Sequence, residues 1–152
     1  NSIYYIVYTL LLLLFIFIYP DMLFQNNFSI IGFFITLIIS IYISYCIYFI
    51  MACFAFWFGE VRSIVVAYNL GMLMISGQYM PIRLFPKEVL NILQWTPIPY
   101  LVDFPVSIAT GLVLITNSID KIILSLFWCV VLTVLSKIIY NFGIRQYEAY
   151  GQ

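Results

Sequence analysis

Polar residues are so sparse in this chain that they act as punctuation between apolar runs. Residues 1–20, 22–59 and 63–82 contain no Asp, Glu, Lys or Arg. A helix that crosses a bilayer needs about 20 mostly apolar residues, so each run is long enough to span. The pattern predicts spanning helices over 3–19, 30–57 and 63–81, and a fourth over 120–141. Pro20 and Asp21 close the first. The apolar stretch that begins at Phe28 and ends at Phe58 exceeds one straight span, which calls for tilt or for ends lying in the interface. Gly59, Glu60, Val61 and Arg62 separate the second run from the third. Lys137 in the last run can snorkel to the nearer interface. Gly143 is expected to break that helix, leaving 144–152 as a polar tail.

The stretch 81–117 departs from this pattern. It holds Pro81, Pro86, Pro97, Pro99 and Pro105, with Arg83, Lys87, Glu88 and Asp103 among apolar residues. Pro86 suits the first turn of a helix, where a missing N–H costs nothing. Pro97 and Pro99 must interrupt that helix. The pieces on either side, 86–95 and 100–111, are too short to span. Two short helices that dip into one leaflet, a re-entrant hairpin over 86–111, fit both lengths. Trp95 and Tyr100 suit the interfacial level. The expected fold is therefore all-α: a polytopic membrane helix bundle of four transmembrane helices and an outer re-entrant helical hairpin.

The third run is the most polar of the apolar ones, with Asn69, Gly71, Ser76, Gly77 and Gln78. A buried amide must find a hydrogen-bond partner. Asn69 and Gln78, with the adjacent Tyr79, are thus candidates for a helix interface or a transport pathway. Ser40 and Ser44 carry the small-xxx-small spacing that lets helices approach closely.

Composition sharpens the class. Charged residues make up 8% of the chain against roughly a quarter in soluble domains, too little polar surface to cover a particle in water. The net charge is +0 with no basic run, so nucleic acid is not an expected partner. Basic residues divide evenly between the two sides of the expected topology, Arg62, Lys137 and Arg145 against Arg83, Lys87 and Lys121. The positive-inside rule therefore does not orient it. With no histidine, a zinc-protease motif and a serine–histidine triad are both excluded. No phosphate-binding glycine loop is present. Asp103 is the only acid well inside the membrane-dipping segment, Glu88 standing at its start, so a carboxylate pair is not expected. Cys46, Cys53 and Cys129 lack metal-ligand or disulfide spacing and read as small packing residues. Neither a cofactor nor a metal is expected, nor an enzyme acting alone. A transporter subunit, a pore and a scaffold remain; a pore usually wants several intramembrane ionisable groups.

One stretch separates these. Residues 76–111 carry the skeleton Ser76-Gly77, Pro81, Phe85-Pro86, Pro97, Tyr100-Leu101, Phe104-Pro105 and Gly111. This resembles the hallmark region of the type-2 ABC transporter permeases, and more narrowly a bacterial branch of six-span permeases served by a separate ATPase. Gly143, Arg145, Tyr147, Glu148 and Gly151 resemble that branch's closing pattern; Trp57 and Trp128 also fit. The resemblance covers the chain from about Phe54 onward.

It implies a permease of six spans with cytoplasmic termini, of which the four seen here would be spans three to six of a carboxy-terminal part. Two spans and the loop expected to carry a coupling helix lie outside this sequence. It also implies two permease copies, alike or paired, two ATPase subunits, and export of an amphipathic drug, peptide or lipid across a cell membrane, by analogy a bacterial plasma membrane. The hairpin residues would be Pro86, Trp95, Pro97, Pro99, Tyr100, Phe104 and Pro105. Glu60 and Arg62 form the internal cytoplasmic turn, which either touches the ATPase or is simply solvated. Arg145 and Glu148 lie three apart and either pair on a helical tail or touch the ATPase. A membrane scaffold or pore without an ATPase is the alternative.

Overall fold

The computed structural model describes Leu10, Leu14 and Ile18 and residues 27–77, 82–114 and 117–150. Apart from those three leucine and isoleucine positions, the expected span over 3–19 lies outside the described residues, as do Gln78 and Tyr79. The described residues are helical with no strand. The elements are α1 (Asn27–Cys53), α2 (Ala55–Phe58), α3 (Arg62–Ile75), α4 (Lys87–Leu93), α5 (Asp103–Ala109) and α6 (Ile119–Tyr150). Short 3₁₀ turns at Ile82–Leu84 and Ile98–Tyr100 precede α4 and α5.

α1 and α2 make one apolar rod. Phe54 between them donates its N–H to Met51 O at 3.1 Å, and its own carbonyl accepts from Trp57 and Phe58 N–H at 3.0 Å. The resulting segment, Ile30–Phe58, has 29 residues, about 43 Å at the helical rise. It ends at Gly59, whose φ of 68° favours glycine; with ψ −46° it makes a tight turn in which Glu60 N–H reaches Phe58 O at 2.7 Å. The second long apolar segment is Ile119–Arg145. Only 28% and 17% of the two apolar windows are buried. The core helix of a soluble protein would be mostly covered; these two leave most of their apolar side chains uncovered and are candidate membrane spans.

Among the described residues of the expected third span, 63–81, the helix runs from Arg62 to Ile75. Ser76 N–H still reaches Met72 O at 2.9 Å, and then Gly77 turns to φ 91°. Fourteen residues extend about 21 Å, less than the roughly 30 Å hydrocarbon core.

The last helix corrects an expectation. Gly143 does not break it; α6 runs unbroken to Tyr150. The glycine answers a packing demand instead. A Cβ at Gly143 would stand 2.3 Å from Phe56 Cδ2, so only a residue without one lets the Phe56 ring seat against α6.

α1 and α6 pack along each other, and α5 wedges against α1. The core comprises Ile39, Ile43 and Cys46 of α1, Tyr100, Phe104 and Ile108 of the hairpin, and Leu132 of α6. Small hydroxyl residues allow the close approach and satisfy themselves on their own helix. Thr36 Oγ1 donates to Gly32 O at 2.9 Å, Ser125 Oγ to Ile122 O at 2.7 Å and Ser136 Oγ to Thr133 O at 2.8 Å. Tyr42 and Thr133 share a 2.8 Å hydroxyl contact between α1 and α6.

Candidate functional site

Two features stand out against the apolar rods: the segment 86–111 and a polar cavity beside it. Pro86 lies just before α4 rather than in its first turn, with φ −54° and ψ 149°, and its carbonyl starts the helix by accepting Leu90 N–H at 3.0 Å. α4 lasts seven residues. Thr96 then donates twice to Leu93 O, from its N–H at 2.9 Å and its Oγ1 at 2.6 Å, and Pro97 leads into the 3₁₀ turn Ile98–Tyr100. α5 adds seven residues, of which Phe104, Pro105, Ser107, Ile108 and Ala109 are buried.

Three contacts fix the joint between the arms. Ser40 Oγ donates to the carbonyl of Leu101. Trp128 Nε1 donates to Trp95 O at 3.0 Å. Tyr100 OH donates to Gln94 O at 3.2 Å, and its ring meets Phe104 edge to face at 5.7 Å. Tyr100 lies in the joint, outside the long helices. Behind the joint, a Cβ at Gly77 would come within 3.2 Å of Asp103 Cβ, so the chain after α3 approaches α5 closely.

The polar cavity lies between α1, α3 and the joint. It has a volume of about 330 Å³ and is lined by Ser44, Tyr48, Tyr68, Asn69, Met72, Leu73, Ser76, Leu101 and Val102. Tyr48 OH donates to Asn69 Oδ1 at 2.6 Å, and the Tyr48 and Tyr68 rings meet at 5.8 Å and 80°. Ser44 Oγ donates to Ser40 O at 2.9 Å. A second, apolar groove of about 670 Å³ runs beside α6, with Trp95, Ile123, Leu124 and Phe127 on its walls.

The residues singled out in the sequence fall into three places. Asn69 is exposed on one side and joined to α1 through Tyr48. Glu60 and Arg62 are exposed in the turn after α2, and Arg145 is exposed on α6. The Phe56–Gly143 approach brings these three to one end of the bundle; the Glu148 side chain lies outside what is described. In the hairpin, Tyr100, Phe104 and Pro105 are buried, Pro97 and Pro99 half-buried, and Pro86 and Trp95 exposed. Ser76 was visible in the sequence as a polar residue and as the start of the 76–111 skeleton, and Tyr48 as one of many tyrosines. A signal for Tyr48 existed: positions 48 and 69 are nearly equidistant from Gly59, so two helices folded back there must bring them level.

No curated protein and no solved structure matches this chain. The family model of the ABC-2 family transporter proteins matches residues 3–151, nearly the whole sequence. With the all-helical fold and the two outward-facing apolar helices, this establishes the chain as a member of the ABC-2 transporter family, a membrane permease component of an ABC transporter.

Proposed function

We propose that this chain is a four-span, carboxy-terminal part of the membrane subunit of an exporter, moving an amphipathic drug, peptide or lipid out of the cell with a separate ATPase chain and a second permease copy. The observation that carries this reading is the family match over residues 3–151, and the place of the joint along α6 supports it. Trp128, which holds Trp95, lies nine residues beyond Ile119 on α6, about 13 Å along the helix. If α6 enters from the outer face, the segment 86–111 dips to roughly mid-membrane and returns. The indole of Trp95 then sits below the headgroup level expected from sequence. A hairpin so placed covers the outer end of the bundle, as an external gate or a seal.

The opposite end gathers Glu60, Arg62 and Arg145, a polar surface suited to an ATPase. A motion applied there is carried along the packed rods α1–α2 and α6 to the two bonds at the joint, Ser40 to Leu101 and Trp128 to Trp95. ATP shifts the conformational equilibrium only as far as it binds the two states differently, so the ATPase must close more readily on one arrangement of this end. The proposal is tested by purifying the full-length protein from its native membrane in mild detergent. An ATPase should co-purify, and Arg62→Glu with Arg145→Glu should release it. A pure permease oligomer, under conditions that keep other transporters whole, would reject the reading.

A further inference from the structure

α3 stops in an unfavourable place for a helix in lipid. It leaves the charged turn at Arg62 and ends at Ile75, about 21 Å away and short of the far side of a roughly 30 Å core. Non-helical backbone at membrane depth is tolerated only where protein covers it or where it lines a wet cavity. The first residue past the helix is Ser76. It is 0% exposed, and its Oγ is buried without a hydrogen-bond partner among the described residues. Ser76 is one of the residues that surround the cavity of about 330 Å³.

The other polar groups there leave a defined chemistry unspent. Ser44 is occupied with Ser40 O, and Tyr48 with Asn69 Oδ1. The Asn69 amide nitrogen, a donor of two hydrogens, and the hydroxyls of Ser76 and Tyr68, each a donor and an acceptor, remain. No lining residue carries a charge, so an ionised guest would be taken from water without compensation. A liquid water occupies about 30 Å³, so the space holds several waters or one compact polar group. The cavity opens along the exposed sides of Tyr48 and Asn69.

We propose that this cavity is a hydrated binding site for an uncharged, hydroxyl-bearing group of the transported amphiphile, held by Asn69 and Ser76 and flanked by the rings of Tyr48 and Tyr68. Its place in transport rests on the exporter reading above; its hydration and selectivity do not. The guest hydroxyl accepts from the Asn69 amide and exchanges a hydrogen bond with Ser76. The tyrosine rings cover its C–H surface.

The test uses the full-length protein in lipid nanodiscs, without ATPase or ATP, so its failure is separable from a failure of co-purification. In a background with Cys46, Cys53 and Cys129 replaced by alanine, Ser76→Cys is labelled with a hydrophilic methanethiosulfonate reagent. Met74→Cys, at a position 71% exposed on the same helix, is the lipid-facing control. Only a hydrated thiol ionises and reacts, so Ser76→Cys should label at least about tenfold faster than the control. Octyl glucoside below its micellar concentration should slow that labelling severalfold, and octyltrimethylammonium should not. Asn69→Leu should abolish the protection while leaving the labelling rate in place. Equal rates at the two positions, or a marked rise in unfolding temperature for Ser76→Ala, would show a dry void and overturn the proposal. Protection by both probes or by neither would overturn its ligand class.

Discussion

The two long helices and the segment 86–111 between them bury opposite things. The windows at the heart of α1 and α6 are the most apolar parts of the described chain, with a mean hydropathy of 2.4 each, and they are largely uncovered. α5 is short, contains a proline and has a charged first residue, yet most of it is sealed from every side. In water this ranking would be reversed, because apolar surface drives burial there. In a bilayer apolar side chains can face the solvent, and the backbone is what needs cover. The hairpin joint exposes carbonyls that no helix satisfies. It is therefore the joint, with Leu101 and Trp95 bonded to flanking helices, that the bundle is built around.

The strongest way to break this comparison is to truncate one phenylalanine of each kind. Phe104 is 5% exposed and packed in the core, whereas Phe127 is 56% exposed on α6. Phe104→Ala should cost about 3–5 kcal/mol of unfolding free energy in bicelles. Phe127→Ala should stay within about 0.5 kcal/mol, as for other substitutions away from packed sites. Equal losses would mean that the exposed face of α6 is covered by protein in the assembly, and that the contrast belongs to the isolated chain alone.

A smaller effect tests the far end. Gly143→Ala forces the Phe56 ring aside and should cost about 1–3 kcal/mol, the usual range for overpacking. Adding Phe56→Ala should recover part of that loss, because the clash and the ring leave together. A Gly143→Ala variant as stable as the parent would show that α2 does not press on α6 in the membrane.

How much of this was legible beforehand follows the same division. The long apolar segments announced themselves by length, since nothing but a bilayer tolerates such runs, and Pro97 with Pro99 fixed where one helix had to end. What the sequence withheld was facing. α1 and α6 are apolar all round, so periodicity could not say that Ile43 and Leu132 point inward while Ile38 and Val130 point outward. Gly143 misled for a related reason. A glycine near a helix end reads as a terminator, but its role here depends on Phe56, 87 positions earlier in the chain, approaching it in space. The polar cavity was half visible: Asn69 stood out as an amide in an apolar run, while Ser76 became informative only once its hydroxyl was seen buried without a partner. Gln78 and Tyr79, the other residues picked for that region, lie outside the described residues.

The smallest expected effect bears most directly on why the hairpin is covered at all. If burial by the surrounding helices is what holds the joint, its hydrogen bonds are incidental; if the joint is held because its carbonyls need donors, they are not. Ser40→Ala removes the donor to Leu101 O, and Trp128→Phe removes the donor to Trp95 O while keeping an aromatic ring in place. Each should lower global stability by only about 0.5–1.5 kcal/mol, close to the limit of an unfolding experiment. Local opening is the better readout, since a joint can open without the bundle unfolding. Amide exchange over residues 94–102 should accelerate up to about tenfold for each variant, because 1.4 kcal/mol is a factor of ten. The two bonds lie on opposite sides of the joint, from α1 and from α6, and share no partner, so their effects should multiply in the double variant. Exchange that does not change in either single variant, with Phe104→Ala still strongly destabilising, would mean that side-chain burial alone seats the hairpin. The backbone argument drawn from the contrast between the two regions would then be wrong.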